Sequence, residues 1–182
     1  MVTLEAILER NNLNRAYKQV KANRGGPGVD GMTVDELLDY LRAHAVEIVE
    51  TVKAGKYKPQ PVRRVMIPKE EKGKFRPLGI PTAVDRVIQQ AIAQKLSDEY
   101  EPVFSLHSHG FRPCRSCRTA IDEALDIANQ GYVWVVDLDL SKFFDTVNHS
   151  KLLQLLSDKL KDGRVVSLCL LYTSPSPRDP KT

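Results

Sequence analysis

The stretch that decides the fold reads Tyr132-Val133-Trp134-Val135-Val136-Asp137-Leu138-Asp139-Leu140-Ser141-Lys142-Phe143-Phe144-Asp145. From Tyr132 to Leu140 every even position is apolar, and the odd positions are Val133, Val135, Asp137 and Asp139. A period of two predicts a β-strand over 132–140 with both carboxylates on one face at its C-terminal end. Like charges there repel each other. A divalent cation that prefers oxygen ligands, such as Mg²⁺, would resolve the conflict. On spacing alone, acids solvated at the strand end or paired with an arginine remain open alternatives. Phe143-Phe144-Asp145 then turns the chain toward a helix near residues 150–160.

Upstream, Ser116 to Asn129 has helical periodicity and Gly131 closes it. The segment before it, Gly110-Phe111-Arg112-Pro113-Cys114-Arg115-Ser116-Cys117-Arg118, sets arginines beside a helix start, where guanidinium forks and backbone N–H groups suit phosphate. Cys114-x-x-Cys117 has no second pair and Cys169 is remote, so the spacing argues against a structural zinc.

Thr82 caps a predicted helix from Ala83 to Tyr100, with Val84, Val87, Ile88, Ala91, Ile92 and Leu96 on its apolar line. Before it, Val62–Pro68 and Phe75–Pro81 flank the charged turn Lys69-Glu70-Glu71-Lys72-Gly73-Lys74 and predict a hairpin with its bases at the tip and along one face. The prolines keep these strands from a sheet centre. The hairpin brings Lys69 and Arg76 together, as cations that could hold a triphosphate or as ordinary surface bases.

The N-terminal region predicts two helices, 3–22 and one running from a capping box at Thr33 and Glu36 to about Lys53. The buried face of the second is expected to carry Leu37, Leu38, Leu41, Ala45, Ile48, Val49 and Val52. Between them lies Asn23-Arg24-Gly25-Gly26-Pro27-Gly28. It lacks the Lys-Ser/Thr of a nucleotide P-loop and follows a helix, so it reads as a turn or as a loop touching RNA.

With 182 residues, 42% hydrophobic and 27% charged, the chain has the composition of a globular protein. It has neither a secretory signal nor a run long enough to span a membrane, and its three cysteines suit a reducing, cytoplasmic setting. The net charge is only +4, but between Lys53 and Arg76 nine bases face two acids, a stripe that attracts polyanions.

Several motifs in order resemble the reverse transcriptases encoded by bacterial group II introns. They are Asn12-Leu13-Asn14-Arg15-Ala16-Tyr17, Arg24-Gly25-Gly26-Pro27-Gly28-Val29-Asp30-Gly31, Ile67-Pro68-Lys69 and Gly73–Pro81, then Asp85–Ala91, Gly110–Pro113 with Arg115-Ser116, and Val136–Asp145 with Asn148-His149. The resemblance implies an α+β right-hand polymerase: a helical N-terminal extension over 1–58, fingers over 59–131, and the start of the palm over 132–166. It implies RNA-directed DNA polymerase activity with Mg²⁺, acting on RNA template, DNA or RNA primer, deoxynucleoside triphosphates and intron RNA. Asp139 falls on the catalytic metal ligand, with the Leu140 carbonyl beside it and Asp137 in support. Lys69 and Arg76 fall on triphosphate-binding positions. Phe144 falls beneath the sugar, where an aromatic wall would exclude a 2′-OH. Arg24, Arg63, Arg64, Lys74, Arg112 and Arg115 are the expected nucleic-acid contacts.

The chain also departs from the family. Cys114 stands where glycine is usual, and Cys117 and Arg118 differ from the common form. The second carboxylate motif, Tyr-x-Asp-Asp, is missing, and so are the thumb, maturase and endonuclease regions. After Val166 the pattern fades into a tail over 167–182 that resembles translated sequencing-adaptor read-through, or else is a Pro/Ser-rich disordered end. A truncated frame is therefore expected, inactive by itself. The alternative function is a catalytically silent, maturase-like module that binds intron RNA.

Overall fold

The structure is a computed structural model. It describes residues 2–68, 73–141 and 143–173, without the side chains of Phe144, Asp145 and Thr173. Among these residues eight α-helices, a short 3-10 turn and one two-stranded sheet form two compact units, residues 1–95 with 149–182, and residues 96–148. It is a mixed α and β chain.

The first unit opens with α1 (Leu4–Ile7) and α2 (Arg10–Ala22), where the sequence predicts one helix. Thr3 caps α1 by accepting from the Ala6 N–H. At the break, the Asn12 amide fills a carbonyl that the helix end leaves open, donating to Ile7 O at 2.8 Å and to Ala91 O at 3.0 Å. Gln94 in turn donates to Asn12 Oδ1 at 2.9 Å. This buried amide pair ties α2 to the helix α4 (Ala83–Tyr100). Val20, Ala16, Val87, Ile88, Ala91 and Ile92 form the apolar core around it.

The predicted box between Thr33 and Glu36 is present, with Thr33 N donating to Glu36 Oε2 at 2.8 Å. It precedes α3 (Leu37–Lys53). Only Leu37 and Val52 of the expected face are buried. Leu38, Leu41, Ile48 and Val49 are half-covered and Ala45 is exposed. Helical period locates a potential apolar face, but burial also needs a neighbour along its whole length.

The hairpin forms as predicted, with β1 (Arg63–Pro68) antiparallel to β2 (Phe75–Ile80). Both strands are edges, so Pro68 and Pro77 do not interrupt a sheet interior. Next, Thr82 Oγ1 accepts from Asp85 N and starts α4. Asp85 itself is buried, and its carboxylate also receives Thr82 Oγ1 at 2.7 Å, Tyr57 Oη at 2.8 Å and the Gln60 N–H at 3.1 Å. That fastens the linker before β1 to the start of α4. Burial and the adjacent Asp85 charge push the Tyr57 phenol well above its usual range.

Two further helices, α7 (His149–Leu160) and α8 (Gly163–Thr173), complete this unit. Their junction is pinned where Asp162 accepts from Leu4 N at 3.1 Å and Arg164 pairs with Glu5 at 2.6 Å. The tail expected from residue 167 begins inside α8, where Leu168 and Cys169 are buried; residues 174–182 lie outside the described ones.

The second unit holds the 3-10 turn Glu101–Val103, a loop, α5 (Cys117–Asn129) and α6 (Phe143–Thr146). Ser116 caps α5, with Thr119 returning the bond. None of its described residues is buried. The predicted strand 132–140 is not formed. Its backbone is irregular and all nine residues are exposed, Trp134 to 93%. Alternation marks a segment suited to a sheet, but a strand exists only when a neighbour pairs its N–H and C=O groups. Among the described residues none does.

Candidate nucleic-acid interface

The first unit carries most of the basic residues singled out in the sequence. Register places Arg63 opposite Ile80, Arg64 opposite Gly79, and Ile67 opposite Arg76. Paired residues share a face and successive ones alternate. Arg63 and Arg76 therefore lie on one face and Arg64 on the other, which corrects the expectation of bases along a single face. All three are exposed, as is Lys74. Lys69, and with it the expected meeting of Lys69 and Arg76, lies outside the described residues.

The glycine loop packs on the same unit. Arg24 adopts φ +48°, a left-handed turn after α2. A Cβ at Gly28 would fall 2.7 Å from Thr82 Cα, and one at Gly25 would strike the Arg86 guanidinium. Arg86 donates from Nη2 to Gly26 O at 3.0 Å. These are close-approach glycines, and Arg86 is their latch. Arg86 falls within the motif Asp85–Ala91, and its type and spacing alone imply no role for it. The available signal was a helix-borne arginine in a chain whose glycines needed a partner.

In the second unit, Asp137 and Asp139 are exposed on the irregular segment. The Leu140 carbonyl accepts from Phe143 N at 3.3 Å, at the entrance to α6. Phe144 lies in α6, and its side chain is outside the described ones. No group of three or more metal-binding side chains occurs among the described residues. Two carboxylates and a carbonyl are hard oxygens of the kind Mg²⁺ takes.

Arg112 differs from the expectation of a phosphate contact. Its side chain is only 7% exposed, and its donors go to Glu101 Oε1 (2.7 and 3.0 Å), Ser105 O (2.6 Å) and Ser108 O (2.9 Å). It also lies over the Phe104 ring at 5.3 Å. A guanidinium hydrogen bond holds the Glu101 carboxyl below its usual range. Arg115 likewise donates to Leu106 O. Both arginines brace the loop. His107 and His109 converge on Glu123, with His109 Nε2 at 2.6 Å from Oε2, and their hydrogen bonds lower the Glu123 pKa. The two histidines lie 16 and 14 positions from Glu123 in sequence, a spacing that carries no pattern of its own. No described helix is long and apolar enough to cross a membrane.

The hairpin, the strand-like acidic segment and the order in which they occur define a class. The sequence profile described as Reverse transcriptase (RNA-dependent DNA polymerase) matches residues 67–176, and the chain belongs to that family. Several of its relatives are intron proteins. The chain is 39% identical over 153 residues to the group II intron-encoded protein LtrA of Lactococcus lactis subsp. cremoris, covering 84% of this chain and 25% of that protein. It is 38% identical over 171 residues to protein YkfC of Escherichia coli (strain K12), covering 91% and 45%. With nuclear intron maturase 1, mitochondrial, of Arabidopsis thaliana it shares 33% identity over 88 residues, 48% of this chain and 12% of that one. The chain thus spans less than half the length of these relatives.

Proposed function

We propose that this chain is the fingers side and first palm segment of an RNA-directed DNA polymerase of the group II intron type, with residues 1–58 as its helical extension. The observation that carries the reading is the family match across 67–176, which takes in β2 with Arg76 and also Asp139. Asp139, the Leu140 carbonyl and Asp137 supply oxygen ligands for Mg²⁺. When bound, the cation would assist attack of the primer 3′-OH on the α-phosphate and offset charge on the triphosphate. Lys69 and Arg76 grip the β- and γ-phosphates, and the pyrophosphate leaves against them. Phe144 lies under the sugar and excludes a 2′-OH. Arg24, Arg63, Arg64 and Lys74 track template or intron RNA through its phosphates. Further carboxylates from the rest of the palm complete the site.

A second reading, a silent RNA-binding module of maturase type, is favoured by the exposed bases of the hairpin and by the likeness to an intron maturase. Arg76→Ala in the protein extended through the palm separates the two. The polymerase reading predicts a KM for deoxynucleoside triphosphate raised roughly tenfold or more in RNA-templated primer extension, with RNA affinity little changed. Weakened RNA binding with an unchanged KM would favour the module.

A further inference from the structure

The Asp85 carboxylate holds more than the start of its own helix. Its Oδ2 accepts from the Gln60 N–H at 3.1 Å and from Thr82 Oγ1 at 2.7 Å. Gln60 precedes β1 and Thr82 follows β2, so one buried oxygen ties both ends of the hairpin to α4. Oδ1 accepts from Tyr57 Oη at 2.8 Å and from Tyr172 Oη, on α8, at 3.2 Å. Burial first, then the neighbouring Tyr57 and Asp85, push the Tyr172 phenol above its usual range, so both phenols keep their protons and donate. All four donors are neutral, and loss of the carboxylate would leave them without this acceptor.

Packing does little to fix the hairpin's direction. Within its strands Val65, Ile67 and Ile80 are half-covered and the other residues are exposed. A two-stranded ribbon with so little cover takes its direction from its attachment. We propose that Asp85 is a positioning residue, which fixes the angle at which the hairpin leaves α4 and so where Arg76 is presented. The proposal rests on the polymerase reading for what Arg76 meets, a nucleoside triphosphate, but not for the joint itself.

Two variants separate the joint from general stability. Tyr57→Phe combined with Gln60→Pro removes both donors on the β1 side and leaves Asp85 in place. Asp85→Asn keeps the bridge, because its carbonyl oxygen can face Gln60 and Thr82 while its amide donates to the two phenol oxygens. Backbone N–H residual dipolar couplings of the ¹⁵N-labelled full chain compare the hairpin with α4. In wild type and in Asp85→Asn one alignment tensor is expected to fit both elements. In the Tyr57→Phe, Gln60→Pro protein the hairpin couplings are expected to shrink and to need a tensor of their own. A hairpin that stays locked to α4 in that protein would overturn the proposal. In RNA-templated primer extension by the protein carrying its full palm, the same double variant is expected to raise the KM for deoxynucleoside triphosphate about threefold or more, with kcat within about twofold of wild type. A fold that is merely weakened would instead lower kcat at an unchanged KM, and that result would overturn the positioning role. Failure of the polymerase reading shows separately, as DNA synthesis that survives Asp139→Ala, and the coupling measurement needs no polymerase.

Discussion

Two residues show how one backbone position carries a measurable energy. Cys114 sits at φ +59°, where a side chain is strained and glycine is not. Cys114→Gly should therefore raise stability by about 0.5–1 kcal/mol in urea unfolding, and a loss of that size would show that the turn is held differently. Asp85 is the opposite case. It is 1% exposed and its oxygens receive Thr82, Tyr57 and Gln60. Asp85→Ala leaves those donors buried without acceptors, so it should cost roughly 3 kcal/mol by the same measurement, whereas a change under about 0.5 kcal/mol would contradict the network.

Elements that carry their own partners were legible in the sequence. The hairpin closes on itself, and α4 and α5 are started by Thr82 and Ser116, capping residues visible in the chain. What the sequence could not fix was anything that depends on a neighbour distant in the chain or absent from it. Tyr132–Leu140 has the alternation of a strand and, among the described residues, no strand to pair with, so its apolar side chains face solvent. The break between α1 and α2 depends on Asn12 reaching Ala91, far along the chain. Arg112 had the composition of a phosphate contact, but Glu101 and two carbonyls occupy it. Trp134, the sole tryptophan, makes the first of these testable. Its fluorescence in this chain should match free tryptophan in wavelength and in acrylamide quenching. On the proposed polymerase reading it should shift to the blue in a longer protein in which this segment is paired as a strand. A shielded Trp134 in the present chain would contradict the exposed segment.

At the scale of the molecule, the two units divide the chemistry. Residues 1–95 with 149–182 hold the apolar core, the glycine loop and the basic hairpin; residues 96–148 hold the acidic segment and have no buried residue among those described. The chain spans 25% of one relative and 45% of another. Asp139 is the residue on which this account turns, because it is exposed and so can be changed without disturbing packing. The decisive measurement is RNA-templated primer extension by the protein carrying its full palm, with Asp139→Ala compared against wild type and RNA affinity measured in parallel. The account predicts that DNA synthesis falls by about a thousandfold or more while RNA binding stays within about twofold. Synthesis that continues at the wild-type rate would contradict it.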